Sequence, residues 1–193
     1  VPLNFIGYVI TFNENGGTFV APGYYKVHIV EKGKTINLTN YFNRTGYKLL
    51  GFSEDSTATT ATYTTGEAII PTKDMTVYAI WQLQSYTLTI NHYLENINDT
   101  NYTFYAKTTS TLPYGTSIIL ENYKTTVTNG TYHHGTNSSG TTVTTVTMGT
   151  GTTINLYYIR NKYTLTLGKG NYISTVSGGG TYKVGQSVTV SAT

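Results

Sequence analysis

The chain has 193 residues, 38% hydrophobic and 13% aromatic, and its formal net charge of +3 comes from only 12 basic and 9 acidic residues. A charged fraction of 11% excludes a charge-driven disordered chain, and the thinly spread basic residues form no phosphate-binding stripe, so nucleic acid is not an expected partner. With no cysteine the chain has no disulfide scaffold, thiol nucleophile or thiolate zinc site, and no apolar run reaches the roughly 18 residues that membrane insertion needs.

Val1-Pro2-Leu3-Asn4-Phe5 lacks the basic residues and small-residue cleavage site of a signal peptide, so residues 1–7 read as a leader or linker. The chain is accordingly expected to be an internal piece of something longer. Tyr8-Val9-Ile10-Thr11-Phe12 alternates as a strand, and Asn13-Glu14-Asn15-Gly16-Gly17 carries the Asn-Gly signal of a type I′ hairpin turn. A return strand is predicted over 24–30, with Tyr24, Lys26 and His28 on one face and Tyr25, Val27 and Ile29 on the other. The apolar Ile36, Leu38 and Phe42 suggest a short helix over 35–42, against which Thr39 and two asparagines count. Arg44-Thr45-Gly46-Tyr47 then gives a turn, Gly51-Phe52 a glycine before an aromatic, and Thr62-Tyr63-Thr64 and Thr76 to Trp81 the remaining strands.

The opening recurs as Tyr86-Thr87-Leu88-Thr89-Ile90 and Tyr163-Thr164-Leu165-Thr166-Leu167, at spacings of 78 and 77 residues. A glycine followed by a strand also recurs, at Gly33, Gly115 and Gly185. The closing strand Thr76 to Trp81 has its counterpart in Thr153-Ile154-Asn155-Leu156-Tyr157-Tyr158. The third copy reaches Thr193 after its second strand. These landmarks predict modules at 8–82, 86–160 and an incomplete one at 163–193, with 83–85 as linker. The fold class is mostly β, with at most one short helix per module and the modules end to end. Short linkers, Gln82–Ser85 and Ile159–Lys162, make neighbouring modules one another's partners in a semi-rigid rod.

Tyr8-Val9-Ile10-Thr11-Phe12-Asn13-x-Asn15-Gly16-Gly17, Arg44-Thr45-Gly46-Tyr47, Gly51-Phe52 and Thr76-Val77-Tyr78-Ala79-Ile80-Trp81, in that order, resemble the Listeria–Bacteroides repeat, the internalin-type B repeat of bacterial surface proteins. Phe52 stands where that family usually has tryptophan. The later copies look like divergent members; the second lacks the Arg-Thr-Gly-Tyr and Gly-aromatic signals. The resemblance implies a small β-grasp-like module on secreted or wall-anchored bacterial proteins, strung in tandem as stalk or adhesive region, with no catalytic residues and no cofactor. Host-surface protein or glycan is the partner class it implies.

No nucleophile–base pair, metalloprotease motif or phosphate-cradling loop stands out; Gly149-Thr150-Gly151, Gly168-Lys169-Gly170 and Gly178-Gly179-Gly180 read as turns. Tyr132, His133 and His134 are candidate ligand contacts on a hairpin, but adjacent strand residues point oppositely, so no metal site is expected from the histidines. His28 and His92 read as surface residues. Glu95, Asn96, Asn98, Asp99 and Asn101 cluster as oxygen ligands without the spacing of a calcium loop, which leaves a solvated turn. Glycosylation sequons, such as Asn37-Leu38-Thr39, follow from composition. A Lys–Asn isopeptide staple needs a lysine buried beside an asparagine and a carboxyl. Phe12, Tyr47, Phe52 and Trp81 are the expected structural core. The function expected is a non-enzymatic extracellular repeat region acting as stalk or spacer and as adhesin. The alternatives are an accessory module of a secreted enzyme and a pilus-like filament subunit.

Overall fold

The computed structural model describes residues 6–193; the Val1–Phe5 part of the expected leader lies outside them. With 51% of residues in strands and 2% in helix, the chain is mostly β. It divides into two compact units, Val1–Ser85 and Tyr86–Thr193.

The first unit is built on β1 (Gly7–Asn13), β2 (Val27–Glu31), β3 (Tyr47–Ser53) and β4 (Met75–Leu83). Their order across the sheet is β2-β1-β4-β3, with a parallel central pair and antiparallel outer pairs. A parallel pair requires a long crossover. Here the crossover covers one sheet face and sends Leu38 and Phe42 into the core beside Ile10, Phe12, Val30, Phe52 and Val77. No helix forms over 35–42. Ile36–Asn37 pairs with Ala68–Ile69, and Phe42–Asn43 pairs with Thr18–Phe19. The Asn40 carboxamide oxygen accepts a hydrogen bond from the Phe42 amide (3.0 Å), the local competition by which asparagine breaks helices.

Asn15 and Gly16 both take positive φ (44° and 84°), and the Gly17 amide donates to the Glu14 carbonyl at 2.9 Å, the geometry of a type I′ turn. The turn leads into Thr18–Phe19 rather than into a direct return strand, and β2 begins at Val27, not Tyr24. Val27 and Ile29 face solvent while Val30 is buried.

Gly51 has φ +146°, and a Cβ there would collide with the Tyr63 carbonyl oxygen, which accepts from the Phe52 amide at 2.8 Å. The expected 62–64 strand is thus a single bridge between Tyr63 and Phe52. Phe52 and Phe12 are buried edge to face, 5.5 Å between centroids. Trp81 is half-buried against the same cluster, its indole N–H donating to the Glu14 carbonyl (2.9 Å). Tyr47 departs from expectation: it lies outside the core cluster, half-buried, with the Arg44 guanidinium 3.9 Å from its ring centroid.

The second unit repeats this plan with β5 (Ser85–Glu95), β6 (Tyr102–Pro113), β7 (Gly130–Asn137) and β8 (Thr152–Arg160) in the order β6-β5-β8-β7, again with a parallel central pair. The crossover contributes a 3-10 turn at Leu120–Tyr123, with Leu120 buried. Even the bulge is repeated. It falls between Leu49 and Gly51 in β3 and between Tyr132 and His134 in β7, one residue past the partners of Trp81 and Tyr158. Beyond the bulge, Phe52 opposes Ala79 in the first unit and Gly135 opposes Leu156 in the second. Large and small have changed places, which keeps the volume of the layer.

After β8, β9 (Lys162–Leu165) pairs antiparallel with β10 (Gly180–Lys183), matching the first hairpin of a module, and Val176–Ser177 pairs with Ser191–Ala192.

Candidate functional site

Strand alternation in the second unit turns Leu88, Ile90, His92 and Leu94 of β5 and Ile154, Leu156 and Tyr158 of β8 inward. The intervening residues make the opposite face. There, Tyr93 lies opposite Tyr157, and Tyr157 opposite His134. Tyr93 and Tyr157 stack at 5.1 Å and 17°, and His134 stacks on Tyr157 at 4.6 Å and 8°. Phe104 meets Tyr93 edge-on at 5.9 Å, and Tyr102 meets Tyr157 edge-on at 4.9 Å. One row along, the Asn91 amide donates to the Asn155 side chain (3.0 Å), which donates to the Thr136 hydroxyl (3.3 Å).

Each cross-strand ring pair stabilises the sheet by about 0.2–1 kcal/mol. The ring faces cover one another, so the row presents edges, hydroxyls and ring nitrogens outward. Its members are uncharged apart from what the imidazoles take up. Such a row favours contact through hydrogen bonds and apolar edges over charge attraction.

The three expected contact residues do not act together. Tyr132 turns toward the core, half-buried, edge-on to Tyr158 at 5.9 Å. His133 and His134 turn to the aromatic row. The expectation that neighbouring histidines face opposite ways fails because the bulge inserts His133 into β7 as an extra residue. Burial, and then the neighbouring His133, lower the pKa of His134.

Nor does His92 lie at the surface. It is fully buried, between the Tyr158 hydroxyl (3.1 Å from Nδ1) and the Thr108 hydroxyl (3.0 Å from Nε2), and burial lowers its pKa. Its place in the Leu88, Ile90, His92, Leu94 alternation was the signal for this. His28 is half-buried, edge-on to Phe12 at 5.4 Å, with Nε2 buried and unpartnered.

The acidic and amide cluster after β5 holds a cation, but the cation is an ammonium. Lys183 of β10 places Nζ 2.9 Å from the Glu95 carboxylate and donates to the backbone carbonyls of Asn96 (2.9 Å) and Asp99 (2.5 Å). The other Glu95 oxygen accepts from the Arg160 amide (3.0 Å), and the Arg160 side chain donates to the Glu95 carbonyl (2.7 Å). Burial acts to raise the Glu95 pKa, and the Lys183 and Arg160 hydrogen bonds overcome it, so the carboxyl titrates below its ordinary value. Among the described residues no lysine ammonium bonds an asparagine side chain, and no group of three or more His, Asp or Glu could hold a metal ion.

The β2-β1-β4-β3 sheet, the Asn15–Gly16 turn and the bulge between Leu49 and Gly51 all lie within the segment that resembles a known repeat. Residues 8–80 match the family model of the Listeria-Bacteroides repeat domain. Listeria-Bacteroides repeats occur in bacterial surface and extracellular proteins, and residues 8–80 are similar to such a surface-protein repeat. The matched segment is the first module; the second shares its strand order and bulge position. No curated protein matches the chain. No helix among the described residues is long and apolar enough to cross a membrane.

Proposed function

We propose that this chain is a non-enzymatic extracellular spacer whose repeats are joined stiffly enough to hold what they carry at a distance. The observation that carries the reading is the joint between the second module and the β9–β10 hairpin. Lys183 satisfies all three of its N–H groups on Glu95, Asn96 and Asp99, and its side chain is only 13% exposed. A joint of this kind restricts bending, which a flexible linker does not. The Listeria-Bacteroides match over residues 8–80 supports the setting at a bacterial surface.

The test uses the absence of cysteine. Dyes on Lys107→Cys and Lys169→Cys, both exposed, report the distance across the joint by energy transfer. A narrow distribution that broadens with Lys183→Ala is expected. A distribution already broad with Lys183 in place contradicts a spacer. The aromatic row favours a second role, adhesion to an uncharged surface of host protein or glycan, with Phe104, 54% exposed, as its outermost ring. Binding to host-cell surfaces that Phe104→Ala leaves unchanged would remove that role from the row.

A further inference from the structure

The bulge in β7 brings together two ligand atoms that a regular strand would hold apart. His133 Nδ1 and His134 Nδ1 are 2.9 Å from each other, with the rings at 84°. The Tyr102 hydroxyl lies 3.3 Å from His133 Nδ1. His133 is exposed, and His134 is held by its stack on Tyr157. In the metal-free protein, one proton shared between the two Nδ1 atoms makes an N–H···N hydrogen bond.

We propose that His133 and His134 form a surface site for a divalent copper ion, bound by the two Nδ1 atoms with the Tyr102 hydroxyl at its margin. For metal–nitrogen bonds of about 2.05 Å, a nitrogen separation of 2.9 Å subtends about 90° at the metal. That is the angle between neighbouring ligands of a tetragonal Cu(II) or Ni(II) ion. A tetrahedral zinc ion needs the nitrogens about 3.4 Å apart. Of the divalent first-row ions, Cu(II) has the highest affinity for such donors. Both imidazoles bind neutral; the shared proton moves to the distal nitrogen of its ring, and the ion takes the two lone pairs. Two protein nitrogens leave positions for water, so the site is open and exchangeable, unlike a closed structural one. Of the other two histidines, His92 is buried and His28 is half-buried with its Nε2 shut off from solvent, and only His133 of the four is exposed.

The experiment titrates the full chain with Cu(II), and separately with Ni(II) and Zn(II), in a non-coordinating buffer at pH 7.5. Paramagnetic resonance counts the nitrogens on bound copper, and circular dichroism verifies the fold of each variant. One equivalent of copper with two imidazole nitrogens is expected, with affinity falling from Cu(II) to Ni(II) to Zn(II). His133→Gln and His134→Gln should each weaken binding by about tenfold or more, as loss of one of two nitrogens demands. His133 is exposed, so its substitution leaves the core untouched. His28→Gln should change nothing. Copper binding that survives both His133→Gln and His134→Gln, or its absence in the unsubstituted chain, overturns the proposal.

Discussion

Phe52 has no solvent exposure and stands over Ala79, edge-on to Phe12 and Phe42. Truncating it leaves a cavity in a small core, and Phe52→Ala should cost about 3–5 kcal/mol, read as a lowered denaturant midpoint of the first unit. Phe52 and Phe12 were legible as apolar positions on alternating strands, and Gly51 as a glycine beside an aromatic. Tyr47 was not: nothing in its pattern distinguishes a core ring from one covered by Arg44. In the second unit, His92 and His134 both titrate below the ordinary histidine value of 6.5. The unfolded chain therefore takes up protons that the folded one refuses, and these groups make stability rise with pH across the interval below 6.5. Glu95, whose folded pKa is below its ordinary 4.5, extends the same loss to lower pH. Urea denaturation of the second unit should show a falling midpoint from pH 7.5 to pH 5, flattened in His92→Leu. A midpoint constant over that range would mean that neither histidine resists protonation.

At the scale of elements, the two modules show how one plan survives different residues. The strands Tyr8–Phe12, Tyr86–Ile90 and Thr76–Trp81 were legible because alternation is a local property. The absent helix at 35–42 was decided by its pairing partners at Ala68–Ile69 and Thr18–Phe19, which are remote in sequence. The β7 bulge was hidden because Gly51-Phe52 becomes His134-Gly135 in the second copy, the bulk moving to the opposite strand as Leu156 replaces Ala79. Without the bulge, the face of every β7 residue from His134 onward is misread, and so the aromatic row went unseen. The Lys183–Glu95 pair was equally hidden, its members lying on different copies of the repeat. Lys183→Ala strands the Glu95 carboxylate, only 7% exposed, and should release the β9–β10 hairpin. Hydrogen exchange at Val184, whose amide donates to the Asn161 carbonyl across the hairpin, should speed up by about tenfold or more, while the β5 and β8 amides keep their protection. Unchanged exchange in the hairpin would show that strand pairing alone holds it.

The whole molecule is organised by repetition: two modules of one strand order, each folded around its own core. The first core is centred on Ile10, Phe12, Phe52 and Val77, and the second on Leu88, Ile90, Ile154 and Leu156. Repeats that each close their own core can be added without disturbing those already present. Each core therefore needs its own probe. Phe52→Ala empties the first; Gly135→Ala overfills the second, where a new Cβ would lie 2.6 Å from Leu120 Cδ2 and 3.1 Å from Leu156 Cδ2. Overpacking of this kind costs about 1–3 kcal/mol. The decisive measurement is calorimetry of the full chain and of these two variants. Two transitions are predicted, one lowered only by Phe52→Ala and the other only by Gly135→Ala; a single transition that both substitutions lower together would contradict the account.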